Sequence, residues 1–316
     1  MSVTTKAAAG VLIFLLAGLA GCQRAQSASG AAVIVATENF LADMTRQVVG
    51  DRFDVHSLIP AGVEPHGYEP TPRDIAAVAG ARLLVVNGAG LEAFQARLLA
   101  NAGGTRPVVE ASRGLVSRTA REGEAAEGVA GPSGAPAEPD PHFWLDPVLA
   151  VTYVENIRDA VISLDPPNAP FYRSNAQTYI AKLHELDARI ARELAPIPAA
   201  ERRLVTNHES LGYFADRYGF RILGTIIPSI SSDAEPSARQ LARLVDRLRS
   251  ANVKAVFLET GSNPKLARQV AQEAGIKVVT ELYTHALSSA DGPAPTYIAM
   301  MEQDAKIIAS ALGGSR

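Results

Sequence analysis

The chain has 316 residues, 47% of them hydrophobic, and its 30 Lys and Arg against 33 Asp and Glu give a formal net charge of −3 at pH 7. The basic residues are scattered and balanced by acids, which excludes the concentrated positive surface of a nucleic-acid-binding protein. The sequence contains one Cys, which excludes an internal disulfide, so the stability of the fold must come from burial of its core.

The N-terminal segment is predicted to be a targeting signal rather than part of the fold. Residues 7–20 form an apolar run that is short for a bilayer span but fits the central region of a secretory signal. The run leads into the sequence LAGC, which ends at Cys22 and resembles the bacterial lipobox. That resemblance implies that residues 1–21 are removed and that Cys22 is lipidated; an ordinary cleaved signal would leave a lone thiol in an oxidising compartment. The small, polar residues 22–31 are expected to form a flexible tether.

The first half of the chain alternates short apolar strands with helices. Thr71, Pro72 and Asp74 are typical of a helix start, since Thr caps a backbone N–H, Pro fits the first helical position and the acid completes a capping box. Alternating strands and helices indicate a parallel sheet with helices on its faces. The predicted strands cover residues 32–36, 54–59, 83–86 and 107–109, and the predicted helices cover 40–49, a segment from 71, 91–101 and 147–164.

Two segments interrupt this alternation before it resumes. Residues 118–140, rich in Gly, Ala, Pro and Glu, are predicted to be a mobile acidic surface loop. Residues 169–194 carry one amphipathic pattern, and a helix of that length, about 39 Å at 1.5 Å per residue, is long enough to brace two domains. The second series has predicted strands at 204–206, 222–227, 253–258 and 276–280 and predicted helices at 211–218, 236–250, 264–274 and 297–312.

These patterns predict an α/β protein with two lobes, each a parallel sheet flanked by helices, joined by one long helix. The predicted boundaries are an N-terminal lobe over residues 32–167, a linking helix over 168–196 and a C-terminal lobe over 197–316. This architecture fits a bilobal binding protein or a two-domain α/β enzyme.

The six histidines separate into two groups by their positions. His56 lies inside a predicted strand and His184 in the middle of the long helix, so neither is assigned a role beyond structure or solvation. The other four follow strand ends or stand at a helix start, where ligands bind in open parallel sheets. For any one of these histidines, a structural role is the better hypothesis. Because there are four, two from each half of the chain, a shared site in the interlobe cleft is favoured. The four are His66, His142, His208 and His285.

Four imidazoles form a donor set for a transition metal. Neutral imidazole nitrogens at about 2.0–2.1 Å suit tetrahedral Zn²⁺, and a closed set of four suits a carrier because a catalytic zinc keeps a position open for water. Neutral nitrogen donors disfavour Mn²⁺, Ca²⁺ and Mg²⁺, whereas Cu²⁺ and Ni²⁺ compete well. Zn²⁺ is therefore the expected ligand, with Mn²⁺, Fe²⁺ and Cu²⁺ as alternatives.

Six sequence motifs are distinctive, and four of them each contain one of these histidines. They are PHGYEPTP at 65–72, NGAGLE at 87–92, DPHFWLDP at 140–147, NHESLGYF at 207–214, DAEPS at 233–237 and LYTH at 282–285. With these motifs the chain resembles the zinc/manganese ABC-transporter substrate-binding proteins, a family of metal-specific periplasmic receptors and surface lipoproteins. The resemblance implies two α/β lobes joined by a rigid helix, with a divalent metal captured between them and delivered to an ABC permease and its ATPase. It implies a non-enzymatic protein, expected to be monomeric, in the periplasm or at the cell surface, with only lipidated Cys22 attaching it to a membrane.

The resemblance also implies which residues bind the metal. His66 and His142 match the ligands of the N-terminal lobe, and His208 and His285 match those of the C-terminal lobe. His208 stands where manganese-type members often carry Glu, which favours zinc. His285 stands where the family usually carries Asp, so the first shell lacks its usual anionic ligand.

Two carboxylates are candidates to support the ligands from outside. Glu259, at the end of a predicted strand, is a candidate to compensate the charge of the metal, with an ordinary salt bridge as the alternative. Asp146 is a candidate to orient His142, since metal-bound histidines usually have such a partner. Glu209 beside His208 is the candidate base of an alternative zinc hydrolase, but the sequence has no His-Glu-x-x-His motif. A surface adhesin is the third possibility.

Overall fold

The computed structural model describes residues 32–118, 139–232 and 235–313. The predicted signal over 1–21, the predicted tether over 22–31 with Cys22, and most of the predicted acidic loop lie outside the described residues. Within the three described ranges, no helix has both the length and the apolar character that a membrane span requires.

The N-terminal lobe is built on a four-stranded parallel sheet in the order β2-β1-β3-β4. Its central strands are short apolar runs because helices cover the sheet, and β3 is buried at every position. The strands are β1 (Val33–Ala36), β2 (Asp54–Ser57), β3 (Leu83–Val86) and β4 (Val108–Glu110), and the helices are α1 (Asn39–Val49), α2 (Pro72–Gly80), α3 (Gln95–Ala102) and α4 (Ala150–Leu164).

The C-terminal lobe repeats this topology with a parallel sheet in the order β6-β5-β7-β8. In both lobes the strand order reverses beside the first strand, and open α/β sheets bind ligands at the carboxyl ends of the strands at such a point. The strands are β5 (Arg203–Thr206), β6 (Arg221–Thr225), β7 (Ala255–Glu259) and β8 (Lys277–Leu282), and the helices are α6 (Gly212–Tyr218), α7 (Ala238–Ser250), α8 (Lys265–Ala274) and α9 (Tyr297–Leu312).

The long helix α5 (Ala169–Leu194) has 26 residues and covers the segment that the amphipathic pattern predicts. It packs against α1 and α4 of the N-terminal lobe and against α9 of the C-terminal lobe. All of its buried side chains except Ala169, among them Leu183, Leu186 and Ile190, belong to one apolar cluster that extends through both lobes. The prediction of two α/β lobes joined by one long helix is confirmed, and the exact domain boundaries stay a prediction.

The predicted helix start at Thr71 is present and fixes the loop that follows β2. The backbone N–H of Asp74 donates to Oγ1 of Thr71 at 3.3 Å, and the backbone N–H of Thr71 donates to Oδ2 of Asp74 at 2.7 Å, which forms a capping box. The hydroxyl of Tyr68 donates to the same carboxylate oxygen at 2.8 Å. These bonds hold the end of the loop that carries His66 against the start of α2.

Helix α3 begins at Gln95, later than the sequence predicts. The carboxylate of Glu92 turns back and accepts hydrogen bonds from the backbone N–H groups of Asn87 and Gly88, the second at 3.0 Å. Ala89 takes a positive φ of 53° inside this turn. The segment that was predicted as the first helical turn is therefore a loop held by its own acidic side chain.

Candidate metal centre

Four histidine side chains meet in the cleft between the lobes. His66 lies in the loop between β2 and α2, and His142 directly precedes a 3₁₀ turn (Phe143–Leu145) that leads into α4. His208 follows β5, and His285 follows β8. Because loops at the carboxyl ends of parallel strands face the same side of a lobe, the topology brings residues distant in sequence to one point.

The four rings are close enough to share one ion. A ligand nitrogen from each of the four lies within 4.8 Å of the other three. Nε2 of His66 lies 3.3 Å from Nε2 of His142, and the edge of a tetrahedron with metal–nitrogen bonds of about 2.0–2.1 Å is roughly 3.3–3.4 Å. Three of the four rings are buried, since His142 and His208 have no exposed surface and His285 is 6% exposed, whereas His66 is partly exposed. The arrangement suits a single divalent transition-metal ion held by four imidazoles.

The remaining two histidines lie elsewhere in the described part of the chain. His56 is exposed on β2, and His184 is exposed on α5. Neither belongs to the group of mutually close ligand atoms. Both positions are therefore suitable controls for substitutions in the cluster.

In three of the four rings, Nδ1 contacts an oxygen, so Nε2 is the nitrogen left to bind a metal. The carboxylates at Nδ1 of His142 and His208 accept a ring N–H, which favours the tautomer whose Nε2 carries the lone pair and makes each ring a stronger ligand. The three contacts are His142 Nδ1 to Asp140 Oδ1 at 2.8 Å, His208 Nδ1 to Glu259 Oε2 at 3.0 Å, and His285 Nδ1 to Thr284 Oγ1 at 2.7 Å.

The carboxylate beside His142 is Asp140 and not Asp146, which corrects the interpretation from sequence. Oδ1 of Asp146 accepts a hydrogen bond from the backbone N–H of Val148 at 2.8 Å and lies 3.9 Å from Nε of Arg217, so this side chain supports the start of α4. Asp140 Oδ1 also accepts the backbone N–H of His142 at 3.0 Å. An Asp two residues before a His, able to bond the backbone N–H, is a local signal that could have identified this contact.

Burial and mutual repulsion keep most of the cluster neutral. Burial lowers the pKa of His66 to about 2, and the nearby rings of His142 and His208 add to the shift. Burial and the other three imidazoles hold the pKa of His285 well below its usual range. Burial also lowers the pKa of His142, although the contact with Asp140 opposes the shift. These three rings are therefore in the neutral form that coordinates a metal.

His208 and Glu259 form the charged pair of the centre. Burial lowers the pKa of His208, but the adjacent Glu259 carboxylate outweighs it and leaves that pKa raised. Burial raises the pKa of Glu259, but His208 and a 2.8 Å hydrogen bond from Ser210 Oγ outweigh it and leave that pKa lowered. Below this raised pKa, a metal that binds Nε2 of His208 must displace a proton from the ring.

Trp144 connects the ligand loops of the two lobes. Its Nε1–H donates to the backbone carbonyl of Thr284 at 2.7 Å, across the cleft. Its ring centroid lies 5.2 Å from that of His142 and 5.6 Å from that of His285. The one tryptophan of the sequence therefore lies directly against two of the four rings.

The sequence matches a family of known metal receptors along almost all of its described length. The profile of the family described as zinc-uptake complex component A, periplasmic, matches residues 34–311. The chain is 34% identical over 279 residues to the manganese-binding lipoprotein MntA of Halalkalibacterium halodurans, covering 88% of each chain. It is 33% identical over 280 residues to the iron-binding protein YfeA of Yersinia pestis, covering 89% of this chain and 86% of the relative.

Solved structures show the same architecture. The manganese-bound periplasmic metal-binding protein of Candidatus Liberibacter asiaticus superposes with a TM-score of 0.76 at 27% identity, covering 89% of this chain and 99% of that one. The periplasmic zinc-binding protein TroA of Treponema pallidum superposes with a TM-score of 0.77 at 26% identity, covering 90% and 99%.

Proposed function

Because the chain belongs to the family of zinc-uptake complex component A, we propose that it captures zinc outside the cytoplasm and delivers it to an ABC permease and its ATPase. The family role is that of the metal-binding, non-enzymatic substrate-binding component of an importer, so the hydrolase alternative does not apply. The identity of the metal is the part that needs an argument, since the relatives are named for manganese, iron and zinc.

The donor set of four imidazoles is the observation that carries the choice of zinc. The proposed ligands are the Nε2 atoms that face one another. Mn²⁺ favours oxygen donors and higher coordination numbers, whereas Zn²⁺ is well satisfied by four nitrogens in a tetrahedron. Manganese and iron are the alternatives in the same role, and Cu²⁺ competes because it exceeds Zn²⁺ in general affinity for nitrogen sites. The four residues are His66, His142, His208 and His285.

In this proposal the charge of the metal is balanced by carboxylates that contact its ligands rather than the metal itself. The sequence raised the concern that His285 removes an anionic ligand. Asp140 contacts Nδ1 of His142, and Glu259 contacts Nδ1 of His208. One imidazole ring therefore separates each carboxylate from the proposed metal position. Two carboxylates carry two negative charges, which equal the charge of Zn²⁺. An all-nitrogen first shell is then compatible with a buried site.

The proposed location follows from the family role together with the N-terminal sequence. Receptors of importers act outside the cytoplasm, which gives the compartment. Lipidation at Cys22 would attach the receptor to a membrane in the periplasm or at the cell surface. Substituting Cys22→Ser should shift the chain from the membrane fraction to the soluble extracytoplasmic fraction, and a mutant that stays membrane-bound would refute the anchor.

Metal content and competition test the choice of zinc. We expect the purified protein to contain one zinc per chain by elemental mass spectrometry and to retain zinc against an excess of Mn²⁺. The substitution His66→Ala should abolish high-affinity binding, whereas the exposed control His56→Ala should leave it unchanged. A preference for Mn²⁺ over Zn²⁺, or tight zinc binding by the His66 variant, would contradict the proposal.

A further inference from the structure

A second group of metal-binding side chains lies beside the four-histidine cluster. Ligand atoms of Glu64, Glu259 and His285 lie within 4.8 Å of one another. Glu64 comes from the N-terminal lobe, two residues before His66, whereas the other two come from the ends of β7 and β8 in the C-terminal lobe. Glu64 joins this second group and not the first.

The second group extends from buried side chains to a partly exposed one. Glu64 is partly exposed and follows three exposed residues, 61–63, whereas Glu259 and His285 are 4% and 6% exposed. The loops that carry the two glutamates also meet here. A Cβ at Gly261 would lie 2.5 Å from the backbone carbonyl oxygen of Gly62. The group therefore spans the mouth of the cleft from one lobe to the other.

His285 belongs to both groups. It is more than nine-tenths buried, its Nδ1 contacts the hydroxyl of Thr284, and its Nε2 has no hydrogen-bond partner among the described residues. One imidazole nitrogen binds one cation at a time. An ion held by Glu64, Glu259 and His285 and an ion held by the four histidines are therefore alternatives rather than two stored ions.

We propose that Glu64, Glu259 and His285 form a transfer position through which a hydrated divalent cation passes on its way into and out of the four-histidine centre. The inference rests on the proposed function, since it concerns the path of the metal to that centre. At the mouth, two carboxylates attract the cation and bind it while it keeps part of its water shell. The ion then moves inward, its last waters leave to solvent, and the remaining histidines replace the carboxylates while His285 stays bound.

A transfer position changes rates rather than affinity. Without Glu64, only the carboxylate of Glu259 remains to bind the ion while it loses its hydration shell. Binding is therefore slower. Release follows the same path in reverse and is slowed by the same factor, so the dissociation constant is almost unchanged. A permanent fifth ligand would behave differently, because its loss would speed release and weaken binding.

Stopped-flow mixing of the full-length protein in detergent with Zn²⁺ tests the proposal, with the fluorescence of Trp144 or a chromophoric chelator as the signal. We expect Glu64→Gln to slow both association and dissociation by about tenfold, within the usual range of electrostatic effects on binding rates. Glu64→Asp keeps the charge and should restore most of the rate. The matched control is Glu69→Gln, which makes the same chemical change in the same loop. Glu69 is exposed and pairs with Arg97.

Unchanged rates in Glu64→Gln, or faster release with unchanged association, would overturn the transfer position. Co²⁺ gives a second readout, because its absorption spectrum reports the ligands of the bound ion. The spectrum of Co²⁺ in Glu64→Gln should match that of the unsubstituted protein, and a changed spectrum would show Glu64 to be a ligand in the final centre. Failure of the unsubstituted protein to bind Zn²⁺ at all would instead overturn the proposed function.

Discussion

Replacing Glu259 by Gln tests whether the outer carboxylate supports the metal centre. The substitution removes the negative charge that lies 3.0 Å from Nδ1 of His208 and keeps a side chain of the same shape. The amide oxygen of Gln can still accept the hydrogen bond that Ser210 Oγ donates to Oε1 at 2.8 Å. We therefore expect the fold to persist, so that the change in metal affinity reports the loss of the charge.

The expected size of this effect follows from the burial of the pair. Removing an outer partner of a metal-bound histidine typically costs roughly 10–100-fold in affinity, or about 1.4–2.8 kcal/mol. His208 has no exposed surface and Glu259 is 4% exposed, so solvent screens their interaction little. The substitution also removes one of the two carboxylates that balance the ion. We expect a loss in the upper half of this range.

Competition with a chromophoric chelator measures the dissociation constant for Zn²⁺ at pH 7. The matched control is Glu281→Gln, which makes the same chemical change at an exposed position on β8 and should leave the affinity unchanged. Thermal unfolding of the metal-free variants checks that both are folded. A dissociation constant for Glu259→Gln within twofold of the unsubstituted protein would refute the role of the carboxylate.

Three further predictions follow from the geometry. The pKa of His208 is raised, whereas the other three rings have lowered pKa values. Below the raised pKa, Zn²⁺ must displace one proton from His208, so the zinc affinity should fall about tenfold per pH unit. A zinc affinity that does not change between pH 7 and pH 5, or that falls as steeply as the release of four protons requires, would contradict this prediction. The substitution Gly261→Ala adds a Cβ that would meet the carbonyl of Gly62, so it should hold the loops apart and speed zinc release in stopped-flow assays. The control Gly275→Ala has a similar positive φ but nothing near the added Cβ, and it should leave the rate of zinc release unchanged. Stripping the metal should lower the melting temperature, by an amount that returns when Zn²⁺ is added.

Much of the fold could be predicted from sequence because its signals are local. The alternation of apolar runs and helical patterns gave the order of the elements, and α5 and α9 have the predicted bounds, Ala169–Leu194 and Tyr297–Leu312. The late start of α3 was missed because Glu92 bonds back to the preceding backbone, a choice that periodicity does not show. The strand β8 ends later than predicted, at Leu282.

The topology of the two lobes is enough to predict which histidines form the candidate site. Histidines at strand ends were expected to converge, because such loops share one side of each lobe. Topology does not identify the carboxylate beside His142, since Asp140 and Asp146 flank that residue. The signal that separates them is local, because an Asp two residues before a His can accept its backbone N–H. Glu64 gave no signal at all, because its partners Glu259 and His285 come from the other lobe.

The shared apolar interior around α5 has a consequence for how cargo leaves the receptor. Swinging the lobes apart as two separate bodies would expose buried side chains on both sides of the helix, at a cost set by the area uncovered. We therefore expect unloading to depend on small displacements of the loops at the rim of the cleft. We expect a permease to distinguish the loaded receptor from the empty one by the positions of a few residues at the rim of the cleft.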